Sequence, residues 1–330
     1  MYTYALAENI PIDEIDERYS LEFYVPEEGQ CGLIEQYGVL APPFLVSEKG
    51  NLSVFLGKKY LDDCRTSGRA LEVALRIEKG EACERDFLQY LVFLKNELKG
   101  FNVVERSMAL KRFCDLEPGK DPQACIPSAV LTLFGVGGNE RLIRNYISLA
   151  EASRNLKLSV LRGDLHEFTA FEIFRFQRED WDFLAEFTSK LFLGTRKRSE
   201  IVSMIYDISE RDRARARELV ADPGVCRLLA LPVDPPQIAE RVYRHFEKLR
   251  YPRIFEYRER FLEKLREVKI EKRFGFHAPR DFETWEFSLE FPFSSVDEFQ
   301  RQVKKLQELG DRKSFAELMA LRDGTEGGTK

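Results

Sequence analysis

Histidine is scarce in this chain: three residues in 330 (His166, His245, His277), far apart, so a histidine-rich metal centre is not expected. The six cysteines, at 31, 64, 83, 114, 125 and 226, include no C-x-x-C pair. Buried, reduced thiols are the expectation, and with them a reducing compartment. No apolar run approaches the length of a membrane span, and the opening MYTYALAENIPIDEIDE is acidic, unlike a secretory leader. A cytoplasmic protein is the expectation. Positive charge is not in excess either, since 51 basic residues face 56 acidic ones for a net charge of −5. That excludes the simplest nucleic-acid signature, a strongly basic chain, while leaving room for local patches. G-x-S-x-G, H-E-x-x-H and Walker-type phosphate loops are all missing.

What is present is an uneven charge and a change of pattern along the chain. Residues 1–35 carry nine acids against Arg18, whereas 241–273 carry twelve basic residues against six acidic. The first 115 residues alternate short apolar runs with helical periodicity. Ile10-Pro11-Ile12 reads as a strand entering a turn, and Cys31–Tyr37 as a short helix stopped by Gly38. VLAPPFLV and LSVFLG, separated by SEKGN, have the form of a hairpin. Helices are expected over 61–70, 84–99 and 103–113. Residues 116–123 (LEPGKDPQ) form a linker, and helices should then follow at 126–134, 140–150, 153–162, 167–175, 179–193 and 196–208. Asp222-Pro223-Gly224 and PVDPP at 232–236 mark the next boundary. A helical stretch over 237–270, broken at Tyr251-Pro252, then leads to an aromatic strand pair at 274–277 and 283–291 and helices at 296–309 and 314–321. The expected fold class is α+β. Its domains are a small α/β domain at 1–115, a helical domain at 116–230, a C-terminal α+β domain at 231–322, and a flexible tail at 323–330.

Two local patterns carry candidate chemistry. The helix–glycine turn–helix at 126–150 places Gly135, Gly137 and Gly138 in the turn and Arg141, Arg144 and Asn145 on the second helix, as a DNA-reading helix-turn-helix requires. The plain alternative is an ordinary antiparallel helix pair, and the near-neutral charge of 120–150 favours weak phosphate attraction. Gly57-Lys58-Lys59-Tyr60 ends an apolar run and opens a helix, where free amides and the helix dipole favour an anion. Its plain alternative is a pair of solvated lysines. The basic stretch 241–273 reads first as an exposed helix face laced by Glu–Arg and Glu–Lys pairs, and secondly as a partner-binding or phosphate-tracking face.

In order along the chain, these pieces resemble the ParB family of chromosome and plasmid partition proteins. The resemblance rests on Gly38-Val39-Leu40-Ala41-Pro42-Pro43, Gly57-Lys58-Lys59, Lys95-Asn96 and Asn102-Val103-Val104-Glu105-Arg106-Ser107-Met108. Beyond the linker it continues through Ala129–Gly135, Asn145–Leu149 and Leu158–Leu165 with Thr169-Ala170, covering roughly residues 8–205. It implies a clamp that binds a palindromic site on double-stranded DNA through the helix-turn-helix, with Gly138, Arg141, Arg144 and Asn145 at the reading helix. Arg196, Lys197 and Arg198 are auxiliary phosphate contacts in this reading. The resemblance further implies CTP with Mg²⁺ in the N-terminal domain, at Gly57, Lys58, Lys59, Asn96 and Lys99, Asn96 being the metal-side ligand. Partners implied are a ParA-type ATPase and a second copy of the chain in a homodimer, and the location is nucleoid-associated.

Departures from the family pattern temper this. Where two arginines clamp the triphosphate in the family, the chain has Lys59 and Tyr60; a lysine is a point charge and tyrosine carries none. Lys95 stands where the family has an acid or amide that takes part in hydrolysis, and Lys99 replaces an arginine. Weak or absent CTP hydrolysis is therefore expected. The turn carries Gly137-Gly138 in place of Ser-Arg, and Ser148 replaces a basic residue. Three readings follow: a divergent ParB-like DNA-binding partition protein, a ParB-derived protein-interaction adaptor, and a ParB-like nuclease, for which no metal-binding carboxylate and histidine cluster is evident.

Overall fold

Lys49 and Gly50 both hold positive φ, +50° and +88°, the backbone of a tight two-residue hairpin turn. That turn joins β3 (Phe44–Glu48) to antiparallel β4 (Asn51–Leu56), as the SEKGN spacing predicts. The computed structural model describes residues 2–24, 42–271, 273–277 and 286–321. The expected helix at Cys31–Tyr37, the Gly38–Ala41 part of the proline motif and the tail at 323–330 lie outside the described residues.

Five strands make one mixed sheet. β1 (Thr3–Ile10) pairs antiparallel with β5 (Leu71–Glu78), β5 pairs parallel with β3, and β2 (Ile15–Asp16) adds parallel to β4, giving the order β1-β5-β3-β4-β2. Alternate residues of the central strands feed two cores. Leu45, Val54 and Ala74 meet Leu61 of α1 (Lys58–Ser67) on one face. Val46, Phe55 and Ile77 meet Phe87 and Leu91 of α2 (Glu84–Leu98) on the other. Burial on both faces explains why β3 and β4 read as continuous apolar runs. β1 and β5 gave no strand signal, because TYALAENI and LEVALRIE mix helix-favouring Ala, Leu, Glu and Arg; pairing with β3 decides their state.

The helical part follows the periodicity as far as residue 212. Beyond it, two short helices at Ala216–Val220 and Pro223–Leu229 occupy a stretch where the sequence predicts none and marks a boundary at Asp222-Pro223-Gly224. α3 (Val103–Leu116) starts at Asn102 with a complete capping box to Glu105. The expected helix at 126–134 is the shorter α5 (Ser128–Leu133), which starts after Pro127, and a further short helix, α4 (Pro122–Cys125), begins inside the expected linker. Then come α6 (Glu140–Glu151), α7 (Arg154–Arg162), α8 (Glu167–Ile173), α9 (Trp181–Lys190), α10 (Thr195–Asp212), α11 (Ala216–Val220) and α12 (Pro223–Leu229). One core joins Leu21, Leu88 and Val92 to Leu110, Phe113, Val130, Ile143, Tyr146 and Phe171. Residues 1–239 consequently form one compact unit, and the linker at 116–123 does not divide two cores.

The second unit spans residues 240–330. α13 (Pro235–Arg250) ends where expected, with α14 (Pro252–Val268) restarting at Pro252 in the first helical position. β6 (Gly275–His277) and β7 (Ser288–Glu290) form an antiparallel pair, the second strand shorter than the expected 283–291, of which 283–285 lie outside the described residues. α15 (Val296–Gly310) and α16 (Lys313–Ala320) complete a small core of Phe261, Val268, Leu309 and Leu318, with Phe287 stacked 5.5 Å from Phe261. The architecture is mixed α+β, as the patterning predicts. No helix among the described residues is long and apolar enough to cross a membrane.

Candidate functional site

The turn from β4 into α1 is built for close approach. Gly57, at φ +91°, is the residue before the first helical position, and a Cβ there would lie 2.8 Å from Pro43 Cβ. Glycine is required twice over, by the left-handed backbone and by the proline packed on it. The proline motif and the Gly57-Lys58-Lys59 motif are thus in contact. The helix start exposes its first amides, and both Gly57 N–H and Lys58 N–H donate to Glu22 Oε2 at 2.7 Å. Lys99 Nζ donates to the other oxygen, Glu22 Oε1, at 2.6 Å. Glu22 is itself 7% exposed.

α2 supplies the facing wall. Lys59, Asn96 and Lys99 line one cavity of about 760 Å³ together with Phe23, Tyr24, Asn102 and Arg106. Residues about forty positions apart in the sequence therefore line one cavity. Lys95, beside Asn96, is engaged elsewhere. It is fully buried, donates to Glu105 Oε2 at 3.0 Å and to the Gly100 carbonyl at 2.9 Å, and lies 4.5 Å from the centre of the Phe101 ring. Burial pulls its pKa below the usual lysine value, against the opposing pull of Glu105. Lys95 is a tether between the end of α2 and the start of α3.

These residues do not fit a nucleotide triphosphate at the start of α1. Both first amides already hold a carboxylate, Lys99 is paired with that carboxylate, and Lys58 is paired with Glu17. Toward Mg²⁺, Asn96 offers one neutral oxygen, whereas Mg²⁺ is held through carboxylates and phosphates. The nearby Glu105 is occupied by Lys95 and by the Phe23 and Asn102 amides. No group of three or more His, Cys, Asp or Glu among the described residues is placed to hold a metal ion. Glu22 was not singled out by the sequence; its only signal was membership in the acidic run at 1–35.

The helix–turn–helix is formed as spaced. Gly135 and Gly138 take positive φ, +67° and +75°, and Asn139 caps α6 by accepting from Leu142 N–H at 3.0 Å. Ile143, Tyr146 and Leu149 bury one face of α6, which leaves Arg141 and Arg144 exposed. Each has an acidic neighbour: Arg141 lies 3.5 Å from Glu172 and Arg144 is bonded to Glu140. Asn145 is half-buried. In the first turn of α10, Arg196 pairs with Glu200 at 2.8 Å, and Lys197 is half-buried. Arg198 donates to the carbonyls of Leu191 at 3.2 Å and Asp164 at 2.6 Å, so it ties the start of α10 to the turn between α7 and α8. Of the expected DNA-contacting residues, Gly138 lies in the turn before α6 and the others on α6 and α10, all within residues 1–239.

In the basic stretch of the second unit, Arg258 pairs with Glu247 and Lys264 with Glu267. This is the ion-pair lacing expected of an exposed helix face. No family model matches the chain, and no curated protein matches it.

Proposed function

We propose that the chain is a ParB-like DNA-binding protein of chromosome or plasmid partition with a degenerate nucleotide pocket. The observation that carries this reading is convergence. Lys59 from the glycine–lysine motif, Asn96 and Lys99 from the α2 motif, and Asn102 at the capping box all line one cavity. A helix–glycine turn–helix follows within the same unit. In this reading α6 enters the major groove, Arg141, Arg144 and Asn145 face the bases, and Arg196 and Lys197 meet phosphates. A ParA-type ATPase at the acidic N-terminal segment and a second copy of the chain are its proposed partners. Its place is on the nucleoid.

The test is fluorescence anisotropy with duplex DNA over a range of salt. Affinity should fall as salt rises, by about 0.9 log units per log unit of salt for each phosphate neutralised. Arg144→Ala should weaken binding about tenfold, the low end for a base contact. Binding that ignores salt overturns the DNA reading. Salt-sensitive binding that survives Arg144→Ala moves the interface away from α6, with 241–273 the next candidate.

A second reading, a ParB-derived interaction adaptor, is favoured by one observation. Arg141, Arg144 and Arg196 each face a carboxylate of the chain itself, which a phosphate would have to displace. Loss of all duplex binding with retained capture of an acidic or basic protein partner would select it.

A further inference from the structure

Glu22 lies within a strap, residues 17–24, that is fastened on both sides of it. Tyr19 and Leu21 are buried before it, and Leu21 belongs to the core that joins α2 and α3. After it, Phe23 N–H donates to Glu105 Oε1 at 3.1 Å, and the Phe23 carbonyl accepts from Asn102 Nδ2 at 3.0 Å. The Tyr24 hydroxyl donates to Asp62 Oδ2 at 2.6 Å on α1. With both chain neighbours held, the Glu22 carboxylate has no low-cost way to swing off the helix start. It takes two backbone amides on one oxygen and an ammonium on the other, the donor set that an anion at a helix N-terminus would use.

We infer that Glu22 is a resident anion that locks the start of α1 against a triphosphate. Beside the cavity lined by Lys59, Asn96, Lys99 and Arg106, the amides that a phosphate would take are held by the chain's own carboxylate, and not merely weakened by the exchange of arginines for Lys59 and Tyr60. The inference rests on the ParB-like reading only in matching this cavity to the family's nucleotide pocket. Removing the charge, while leaving the strap fastened at Leu21 and Phe23, should free both amides and Lys99 for an external anion.

The experiment uses the full chain, as wild type, Glu22→Gln and Glu22→Ala. Titration calorimetry follows inorganic tripolyphosphate and, separately, CTP with Mg²⁺; thermal unfolding checks that each variant is folded. Wild type should show no saturable binding at millimolar ligand. Both variants should bind tripolyphosphate at least tenfold more tightly than wild type, with amide NMR shifts at Gly57 and Lys58. A gain for tripolyphosphate without one for CTP still supports the lock and places the loss of base recognition elsewhere. Micromolar binding by wild type, or no gain in either folded variant, overturns it. Should both variants unfold, the wild-type Gly57 and Lys58 amides decide: unmoved by millimolar tripolyphosphate they support the lock, and shifted they overturn it. Duplex-DNA binding measured on the same samples separates the two proposals, because its absence defeats the partition reading and leaves the anion result standing.

Discussion

Gly57 and Lys95 show how single positions in the motifs have become structural. A side chain at Gly57 meets both a φ of +91° and Pro43, so Gly57→Ala should cost about 2 kcal/mol or more, read as a lowered urea midpoint. Lys95 is a buried cation with one carboxylate partner. Replacing only one member of such a pair leaves a buried charge behind, and Lys95→Met should cost about 3 kcal/mol. A double-mutant cycle with Glu105→Gln should return a coupling above about 1 kcal/mol. The presence of Lys95 beside Asn96 was legible in the sequence. Its partner was not, because Glu105 is ten residues away and reads locally as the third residue of a capping box.

Between elements, the join of sheet to α2 depends on charge as well as packing. Lys79, at the end of β5, bonds both Glu48 of β3 and Glu84 at the start of α2. The hydrogen bond from Lys79 holds the Glu48 carboxyl below the usual glutamate range. A carboxylate depressed in the folded state contributes stability above its ordinary pKa and loses it as pH falls through the folded value. Wild type should therefore lose stability more steeply than Glu48→Gln below the ordinary glutamate range, measured by urea unfolding across pH. Apolar packing sets the larger scale here. Phe87 fills the core between α2 and the sheet, and Phe87→Ala should cost about 3–5 kcal/mol. Helix boundaries were readable to within a few residues because apolar spacing, caps and prolines are local signals. β1 and β5 were not, since a strand made of helix-favouring residues is specified by its neighbours in the sheet.

For the molecule as a whole, the proline-rich linker at 116–123 misleads as a boundary. The core from Leu88 and Val92 runs across it to Val130, Phe134, Ile143 and Tyr146. A fragment ending at 115 would expose that apolar surface and should fail to fold, whereas one ending at 234 should unfold in a single cooperative transition by circular dichroism. Two cooperative transitions in the longer fragment would show that the linker does separate domains.

Local patterning in the sequence is enough for the α+β class, most helices, the β3–β4 hairpin and the glycine turn before α6. All of these follow from short-range periodicity, capping and turn chemistry. It takes the fold to seat Glu22 on the amides of Gly57 and Lys58, to bring Lys95 to the start of α3, and to carry Arg198 to the Asp164 carbonyl. Each depends on partners at least ten residues away along the chain or on backbone groups that carry no residue-type signal. The acidic run at 1–35 reads in the sequence as bulk charge, yet one of its members, Glu22, is the carboxylate seated on the first amides of α1.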